Sequence, residues 1–321
     1  MKKTLIFLVI CFLIIFPVVV NAQQLSLSIT PPLLELAIKP GKSVLIAYTI
    51  GNYGDPTALR AKVLPFRPKD NQGNIVIEND FSGPVRFSLD NADIQMDQPF
   101  FAKSRDSKQL LLRIRIPEGA PDGDYYYTLL VESQPSPGTE GVSSSQAQGT
   151  IGSNILVTVT NSGRVDIKGK VSRFEALKGF TLNFFGKKIK FFDSTDKIPV
   201  VLEVENEGKN AIKPDGEITL SGSFGEQAKY TLLSQNILAG SKRILNATPS
   251  AELRKPIKEP VSVVLSGFFL GNYKLSTNIG FGEGAPNIFS QTSFIALPIK
   301  FIAGFIITIL LTSYIIKKLK K

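Results

Sequence analysis

The residues of this chain that could carry chemistry are carboxylates, because the usual nucleophiles and bases are almost absent. The sequence has no histidine and no tryptophan, and its one cysteine is Cys11. It therefore lacks the usual zinc ligands, the Ser-His and Cys-His nucleophile pairs and the commonest general base. A carboxylate-only enzyme, such as a glycosidase, stays open as an alternative, but the spacing of Asp and Glu singles out no pair. We predict no catalytic, cofactor-binding or metal-binding residue and expect a protein that is not an enzyme.

One acidic segment has the composition of a calcium-binding loop. Residues 70–74 read Asp-Asn-Gln-Gly-Asn. The ligand spacing and the closing glutamate of a calcium-binding loop are both missing. We therefore interpret this segment as a plain turn.

A basic and aromatic cluster is a candidate contact surface. Phe180–Phe185 and Lys188–Phe192 read as two strands of a hairpin that turns at Gly186 and Lys187. Such a surface could touch anionic wall polymer or lipid headgroups, with Lys187 and Lys188 as contacts. The alternative, which we favour, is a hairpin with phenylalanines in the core and lysines along an exposed edge.

A run of three tyrosines, 125–127, gives a second candidate contact. Because side chains alternate along a strand, at least one of the three must point outward, and an exposed tyrosine can stack on a sugar. Tyr126 is the candidate, although half-buried packing is the role that we favour.

The C-terminal end has the pattern of a transmembrane helix. Residues 295–316 are 22 in number and carry one charge, Lys300. A helix of that length spans about 33 Å, enough for a hydrocarbon core of about 30 Å. Four lysines within residues 317–321 mark a cytoplasmic tail. We predict a single-pass membrane protein with the rest of the chain outside the cell.

The N-terminal end agrees with that topology. Lys2 and Lys3 precede an apolar run, and Val20-Asn21-Ala22 fits a small-residue cleavage site. We predict a signal peptide over residues 1–22, with an uncleaved second transmembrane helix as the alternative. Cys11 would leave with the signal peptide.

The positive charge is concentrated at the two ends. The formal net charge is +10, and seven of the positive charges are Lys2, Lys3, Lys300 and the four terminal lysines. The remainder is an ordinary solvated surface without a basic stripe, so we expect no nucleic-acid partner.

Short alternating apolar segments, separated by turn residues, fill the middle of the chain. In residues 109–116, for example, Leu110, Leu112 and Ile114 alternate with Leu111 and Arg113. No stretch of the middle shows a convincing helical period. We predict an all-β protein with two tandem immunoglobulin-like β-sandwiches, at residues 23–162 and 163–285, and a linker at 286–294.

Two short motifs recur in the same order in both halves. A hydrophobic strand runs into Asn52-x-Gly54 in the first half and into Asn206-x-Gly208 in the second. Each is followed, 71 and 65 residues after its Asn, by a Gly at 123 or 271 that opens a Gly-x-Tyr motif. We interpret all six residues as structural turns, with left-handed dihedrals expected at the Asn-x-Gly turns.

The order of these parts resembles the WxL-interacting surface proteins of Gram-positive bacteria. The stretches that carry the resemblance are 29–33 (Ile-Thr-Pro-Pro-Leu), 38–43, 52–54, 64–73, 116–125, 198–208, 237–243 and 271–273. The resemblance implies an outer domain that associates with peptidoglycan and a membrane-proximal domain that binds host or matrix. No family motif marks binding residues here.

The sequence therefore predicts a non-enzymatic bacterial cell-surface protein. Its sandwiches would bind peptidoglycan or another surface protein, through their faces or by accepting a partner strand at an edge. The alternative is a scaffold or chaperone-like protein that assists the assembly of secreted or surface proteins.

Overall fold

The computed structural model describes residues 24–134, 148–184, 187–253, 257–282 and 285–319, without the side chains of Phe184 and Lys187. The predicted signal peptide, 1–22, lies outside the described residues, as do Lys320 and Lys321 of the predicted tail. The described chain is built of strands followed by one long helix, and the strands form two tandem immunoglobulin-like β-sandwiches. The predicted fold class is confirmed.

The chain divides into two compact units. Unit 1 holds the described parts of Met1–Pro65, Asn79–Ala120 and Tyr125–Val157. Unit 2 holds Phe66–Glu78, Pro121–Asp124 and the described part of Thr158–Lys321. Two short segments of the first half thus belong to unit 2.

The first ten strands form two sheets, one ordered β1-β3-β8-β6 and the other β2-β10-β9-β4-β5, with β7 beside β4. Their bounds are β1 Leu27–Thr30, β2 Leu33–Ile38, β3 Ser43–Asn52, β4 Thr57–Pro68, β5 Ile75–Ile77, β6 Arg86–Leu89, β7 Pro99–Ala102, β8 Asp106–Arg115, β9 Gly123–Gln134 and β10 Thr150–Val159. The alternation predicted for β8 is present, with Leu110, Leu112 and Ile114 fully buried. These residues pack in the core of unit 1, because alternate side chains of a strand share one face.

The remaining strands, all in unit 2, also form two sheets. One is ordered β11-β14-β17 with β19 beside β14, and the other is ordered β12-β13-β21-β20-β15-β16-β18. Their bounds are β11 Gly169–Ala176, β12 Phe180–Phe184, β13 Lys187–Asp193, β14 Ile198–Asn206, β15 Asp215–Gly222, β16 Gln227–Leu232, β17 Lys242–Ile244, β18 Ala247–Thr248, β19 Val263–Leu265, β20 Gly271–Gly280 and β21 Ile288–Leu297. Val200, Leu202 and Leu275 are fully buried in the core of this unit.

The C-terminal boundary of the second sandwich was predicted wrongly. The expected linker, 286–294, lies mostly within β21, which pairs antiparallel with β20 and parallel with β13. Phe294 and Ala296 of β21 are 0% exposed and belong to the core of unit 2. The sandwich therefore continues to Leu297, since the alternating side chains of residues 288–297 complete its larger sheet.

The helix follows β21 after one residue, Pro298. Helix α1 spans Ile299–Leu319, 21 residues, and not 295–316 as predicted. None of its residues is buried, and its composition and length are sufficient to cross a membrane. At 1.5 Å per residue it is about 32 Å long, close to the thickness of a hydrocarbon core.

Candidate functional site

The side chain of Asn52 makes buried hydrogen bonds to backbone groups at the end of β3. We call this arrangement an asparagine joint. Its side chain is 0% exposed. The Asn52 amide nitrogen donates to the carbonyl oxygens of Asp55 and Lys103 at 2.9 and 3.0 Å, and its amide oxygen accepts from the Gly54 N–H at 3.1 Å. The side chain thus satisfies backbone groups that no strand reaches.

Asn206 makes the same joint in unit 2. It is also 0% exposed. Its amide nitrogen donates to the carbonyls of Asn210 and Ile237 at 2.8 and 2.9 Å, and its amide oxygen accepts from the Gly208 N–H at 2.9 Å. The recurrence of Asn-x-Gly in the sequence therefore corresponds to a recurrence of buried hydrogen bonds.

The glycines of these joints are required for a reason other than the one predicted. Neither Gly54 nor Gly208 has a left-handed dihedral, and neither asparagine has a positive φ. A Cβ at Gly54 would lie 2.2 Å from the carbonyl oxygen of Gln24, and one at Gly208 would lie 2.2 Å from that of Asp166. Close approach of a neighbouring backbone, and not backbone conformation, excludes a side chain at these positions.

The other two predicted turn glycines do have unusual dihedrals. Gly123 and Gly271 open β9 and β20 with φ of 147° and 96°. In β20 the tyrosine that follows, Tyr273, is 1% exposed, and its hydroxyl accepts from the Leu270 N–H at 3.1 Å. In β9 the buried tyrosine is Tyr127, two residues after Tyr125, the tyrosine of the Gly-x-Tyr motif.

The predicted contact residues lie in different units. Tyr126 is half-buried in β9, in unit 1. Lys188 is exposed in β13, in unit 2. Lys187 is the first residue of β13, and its side chain lies outside the described part of the chain.

The hairpin of β12 and β13 forms with the register Phe180↔Phe191 and Leu182↔Ile189. Within the described residues β12 has β13 as its only strand neighbour, so its other edge is open. Residues 180–183 are all exposed, Phe180 at 67% and Leu182 at 45%. The favoured interpretation, with phenylalanines in the core, therefore fails for Phe180.

These apolar side chains share the outer face of the sheet. Phe192 is 5% exposed and packs edge-on against Phe294 at a ring distance of 5.4 Å, so it points into the core. Its neighbour Phe191 must then point outward, and Phe180, its cross-strand partner, points the same way. We call the open edge of β12 with Phe180 and Leu182 the apolar edge.

The opposite end of β13 is tied to the start of α1. Asp193 is 5% exposed, and its carboxylate accepts from the Lys300 N–H at 2.8 Å. The Thr195 hydroxyl donates to the same carboxylate at 2.6 Å, and the Ser194 N–H donates to the Leu297 carbonyl at 2.9 Å. A carboxylate at the first turn of a helix satisfies free N–H groups and complements the helix dipole.

The environment of Asp193 favours its charged form. Burial alone would raise the pKa of this carboxyl, but the hydrogen bonds from Thr195 and Lys300 outweigh burial and hold the pKa below its ordinary value. Asp193 is therefore an ionised anchor between the sandwich and α1. Its role could not be predicted from the sequence, since 107 positions separate Asp193 from Lys300. The local signal is the Asp-Ser-Thr-Asp segment after an apolar strand.

A cavity of about 590 Å³ opens beside this anchor. Its lining residues are Lys178, Phe192, Thr195, Asp196, Lys197, Leu253 and Lys300. Three lysines and one aspartate thus line a space with an apolar wall. The predicted basic contacts were Lys187 and Lys188 of the hairpin, whereas the three lysines of this cavity were not predicted.

No family model and no curated protein matches the chain. Among solved structures, a chaperone–tip adhesin complex of CFA/I fimbriae biogenesis is 11% identical, covering 83% of this chain and 98% of that chain, with a TM-score of 0.41. The class 5 fimbriae chaperone CfaA is 10% identical (85% and 100% covered, TM-score 0.40), and the E. coli chaperone DraB is 13% identical (84% and 98%, TM-score 0.35). At such identities these structures indicate nothing about the partner of this chain.

Proposed function

We propose that this chain is a single-pass membrane protein of the cell surface, without enzymatic activity, that binds a partner surface protein at the apolar edge. The observation that carries the proposal is the open edge of β12, where Phe180 and Leu182 are exposed beside backbone groups without a strand partner in the described chain. An extended polypeptide fits such an edge, because its backbone extends the sheet and its alternate side chains meet the apolar ones.

The membrane location rests on α1. An unburied apolar helix of 21 residues is costly to expose to water and matches the thickness of a bilayer. Lys317 and Lys318 in its last turn favour the cytoplasmic side for the C-terminal end. The two sandwiches would then stand outside.

A protein partner fits the apolar edge better than peptidoglycan does. Phe180 could stack on a sugar ring, but Leu182 and the open backbone edge beside it offer apolar contact and strand pairing, which suit a polypeptide and not a sugar polymer. The resemblance to WxL-interacting proteins is compatible with a partner protein and remains part of this proposal. A scaffold or chaperone role would use the same edge, with a partner that is later released.

The test uses the full chain in producing cells, with a photo-crosslinking amino acid at Leu182 and, as control, at Phe224. Phe224, like Phe180, is an exposed aromatic residue of unit 2, at 72%, but it lies in the turn between β15 and β16. We expect a protein adduct from position 182 that is absent from position 224. The adduct would then be identified by mass spectrometry, purified and titrated against the full chain in detergent.

Two matched variants decide the outcome. Phe180→Lys places a charge on the apolar edge, as natural edge strands do to prevent pairing, and should weaken binding of the purified partner about tenfold or more. Phe224→Lys should leave the affinity unchanged. Equal affinities for both variants, or adducts that contain glycan alone, would contradict the proposal; slow release of a bound partner would favour the scaffold alternative.

A further inference from the structure

The cavity beside Asp193 has the size and lining of a small-molecule site. Its volume of about 590 Å³ lies within the roughly 300–1,000 Å³ of typical ligand pockets. Phe192 and Leu253 provide an apolar wall, and Lys178, Lys197 and Lys300 provide ammonium groups. All of these residues belong to unit 2.

The charges in this cavity favour an anion. Lys300 is already paired, because its ammonium group contacts Asp196 and lies 3.3 Å from Asp193. Lys197 donates to the carbonyl oxygen of Glu252 and not to a carboxylate. Lys178 is exposed and forms no salt bridge within the part of the chain that the structure describes. The two carboxylates of Asp193 and Asp196 offset two of the three ammonium groups, so one positive charge remains uncompensated beside the cavity.

The backbone of Lys178 is also unusual. It has φ of 64°, in the left-handed region that residues other than Gly, Asn and Asp rarely adopt. This conformation lies in the connection between β11 and β12, directly before the apolar edge. A lysine is a costly choice for such a turn, and Lys178 lines the cavity.

The position of the cavity on the chain specifies which anion it meets. Lys300 is the second residue of α1, whose length of about 32 Å leaves little helix outside the hydrocarbon core. The cavity that Lys300 lines must then stand at the level of the lipid headgroups, where lysines attract anionic lipids. This step rests on the proposed membrane location of α1.

We infer that the cavity lined by Lys178, Lys197 and Lys300 binds the phosphate of an anionic phospholipid headgroup. Lys178 and Lys197 contact the phosphate oxygens, and Phe192 and Leu253 pack against the glycerol and the adjoining acyl carbons. The bound lipid holds unit 2 at the bilayer surface, next to the anchor that Asp193 makes.

The test is native mass spectrometry of the full chain in detergent micelles with equal amounts of phosphatidylglycerol and phosphatidylcholine. We expect phosphatidylglycerol adducts to exceed phosphatidylcholine adducts by about fivefold, the preference that one lysine near an anionic surface gives. Lys178→Gln with Lys197→Gln should bring this ratio close to one. Lys178→Gln alone, at an exposed position, provides a variant whose fold is not in question.

The matched control is Lys213→Gln with Lys274→Gln, which removes two exposed lysines elsewhere in unit 2. A Lys317→Gln/Lys318→Gln variant measures how much of the lipid preference comes from the lysines at the C-terminal end of α1. The inference is overturned if wild type shows no lipid preference, or if the cavity variants keep it. It is also overturned if inorganic phosphate alone removes the preference at millimolar concentration, since the site would then bind free anions. Loss of partner binding in Phe180→Lys with an unchanged lipid ratio, or the reverse, separates this inference from the proposed function.

Discussion

The side chain of Asn206 is buried and makes three hydrogen bonds to backbone groups of unit 2. Asn206→Ala removes three hydrogen bonds and leaves two carbonyls and one N–H without that partner in a site that water does not reach. We expect unit 2 to lose about 3 kcal/mol of unfolding free energy. Denaturant unfolding of the full chain in detergent measures the loss. Asn278→Ala, at an exposed position of β20, should stay within about 0.5 kcal/mol of wild type.

The stability of unit 2 should depend on pH through Asp193. The sign of this dependence follows from the lowered pKa of the Asp193 carboxyl. Because the pKa in the folded state lies below that in the unfolded state, the charged carboxylate stabilises unit 2 at pH values above the unfolded pKa. This contribution is lost as the pH falls through the folded pKa. Asp193→Asn should therefore lower the stability by about 2 kcal/mol at pH 7, the cost of losing hydrogen bonds to a charged group.

The same comparison at pH 3 should give a smaller difference between wild type and Asp193→Asn, because the carboxyl of the unfolded chain is then mostly protonated and must lose its proton on folding. Thermal unfolding of both proteins across this pH range measures the difference. Asp215→Asn, at an exposed carboxylate of β15, is the control. A difference that grows toward acid pH would contradict the assignment of Asp193 as a charged anchor.

At the scale of elements, β21 decides whether the chain before α1 is a linker or part of the sandwich. Phe294 is 0% exposed and its ring stacks on Tyr273 at 5.3 Å, whereas Phe289 of the same strand is 73% exposed. Phe294→Ala should cost about 4 kcal/mol through the lost burial and the cavity left behind. Phe289→Ala should cost less than about 1 kcal/mol. Equal and small effects in denaturant unfolding would return this segment to the status of a linker.

The elements also show what local sequence patterns can and cannot specify. The alternation in β8 and the repeated Asn-x-Gly joints were readable because a strand face and a turn are set by neighbours in the sequence. The start of α1 was predicted too early because the apolar composition of residues 294–299 fits both a buried strand and a membrane helix. Hydropathy cannot separate these two states; Pro298, which disfavours a helical residue before it, was the available signal.

The cavity and the apolar edge were harder to predict than the fold, because they depend on residues that are far apart in the sequence. The cavity takes its residues from β13, from the loops after β11, β13 and β18, and from α1. The pairing of β13 with β21 brings β13 to the start of α1. Lys178 and Lys197 stand in loops with no distinctive spacing, so no motif marked them. The hairpin was found from its composition, but the direction of Phe180 depended on a register that composition does not give.

At the scale of the whole molecule, the central prediction is orientation: the sandwiches outside and the basic end of α1 in the cytoplasm. The chain suits a labelling test, because its one cysteine, Cys11, lies in the predicted signal peptide. In a Cys11→Ser background, Ser223→Cys introduces an exposed thiol in unit 2, and Lys318→Cys introduces one in the last turn of α1.

A membrane-impermeant maleimide should label Ser223→Cys in intact cells with an accessible outer surface and should label Lys318→Cys only after the membrane is opened. The reason is the strong preference of lysines that flank a membrane helix for the cytoplasmic side. Replacing Ile309, in the middle of α1, by Arg should release much of the protein from membranes washed with alkaline carbonate, because an arginine at the bilayer centre costs about 3 kcal/mol; Ile309→Leu is the control. Labelling of Lys318→Cys in intact cells would reverse the orientation, and retention of Ile309→Arg in the membrane would require an attachment other than α1.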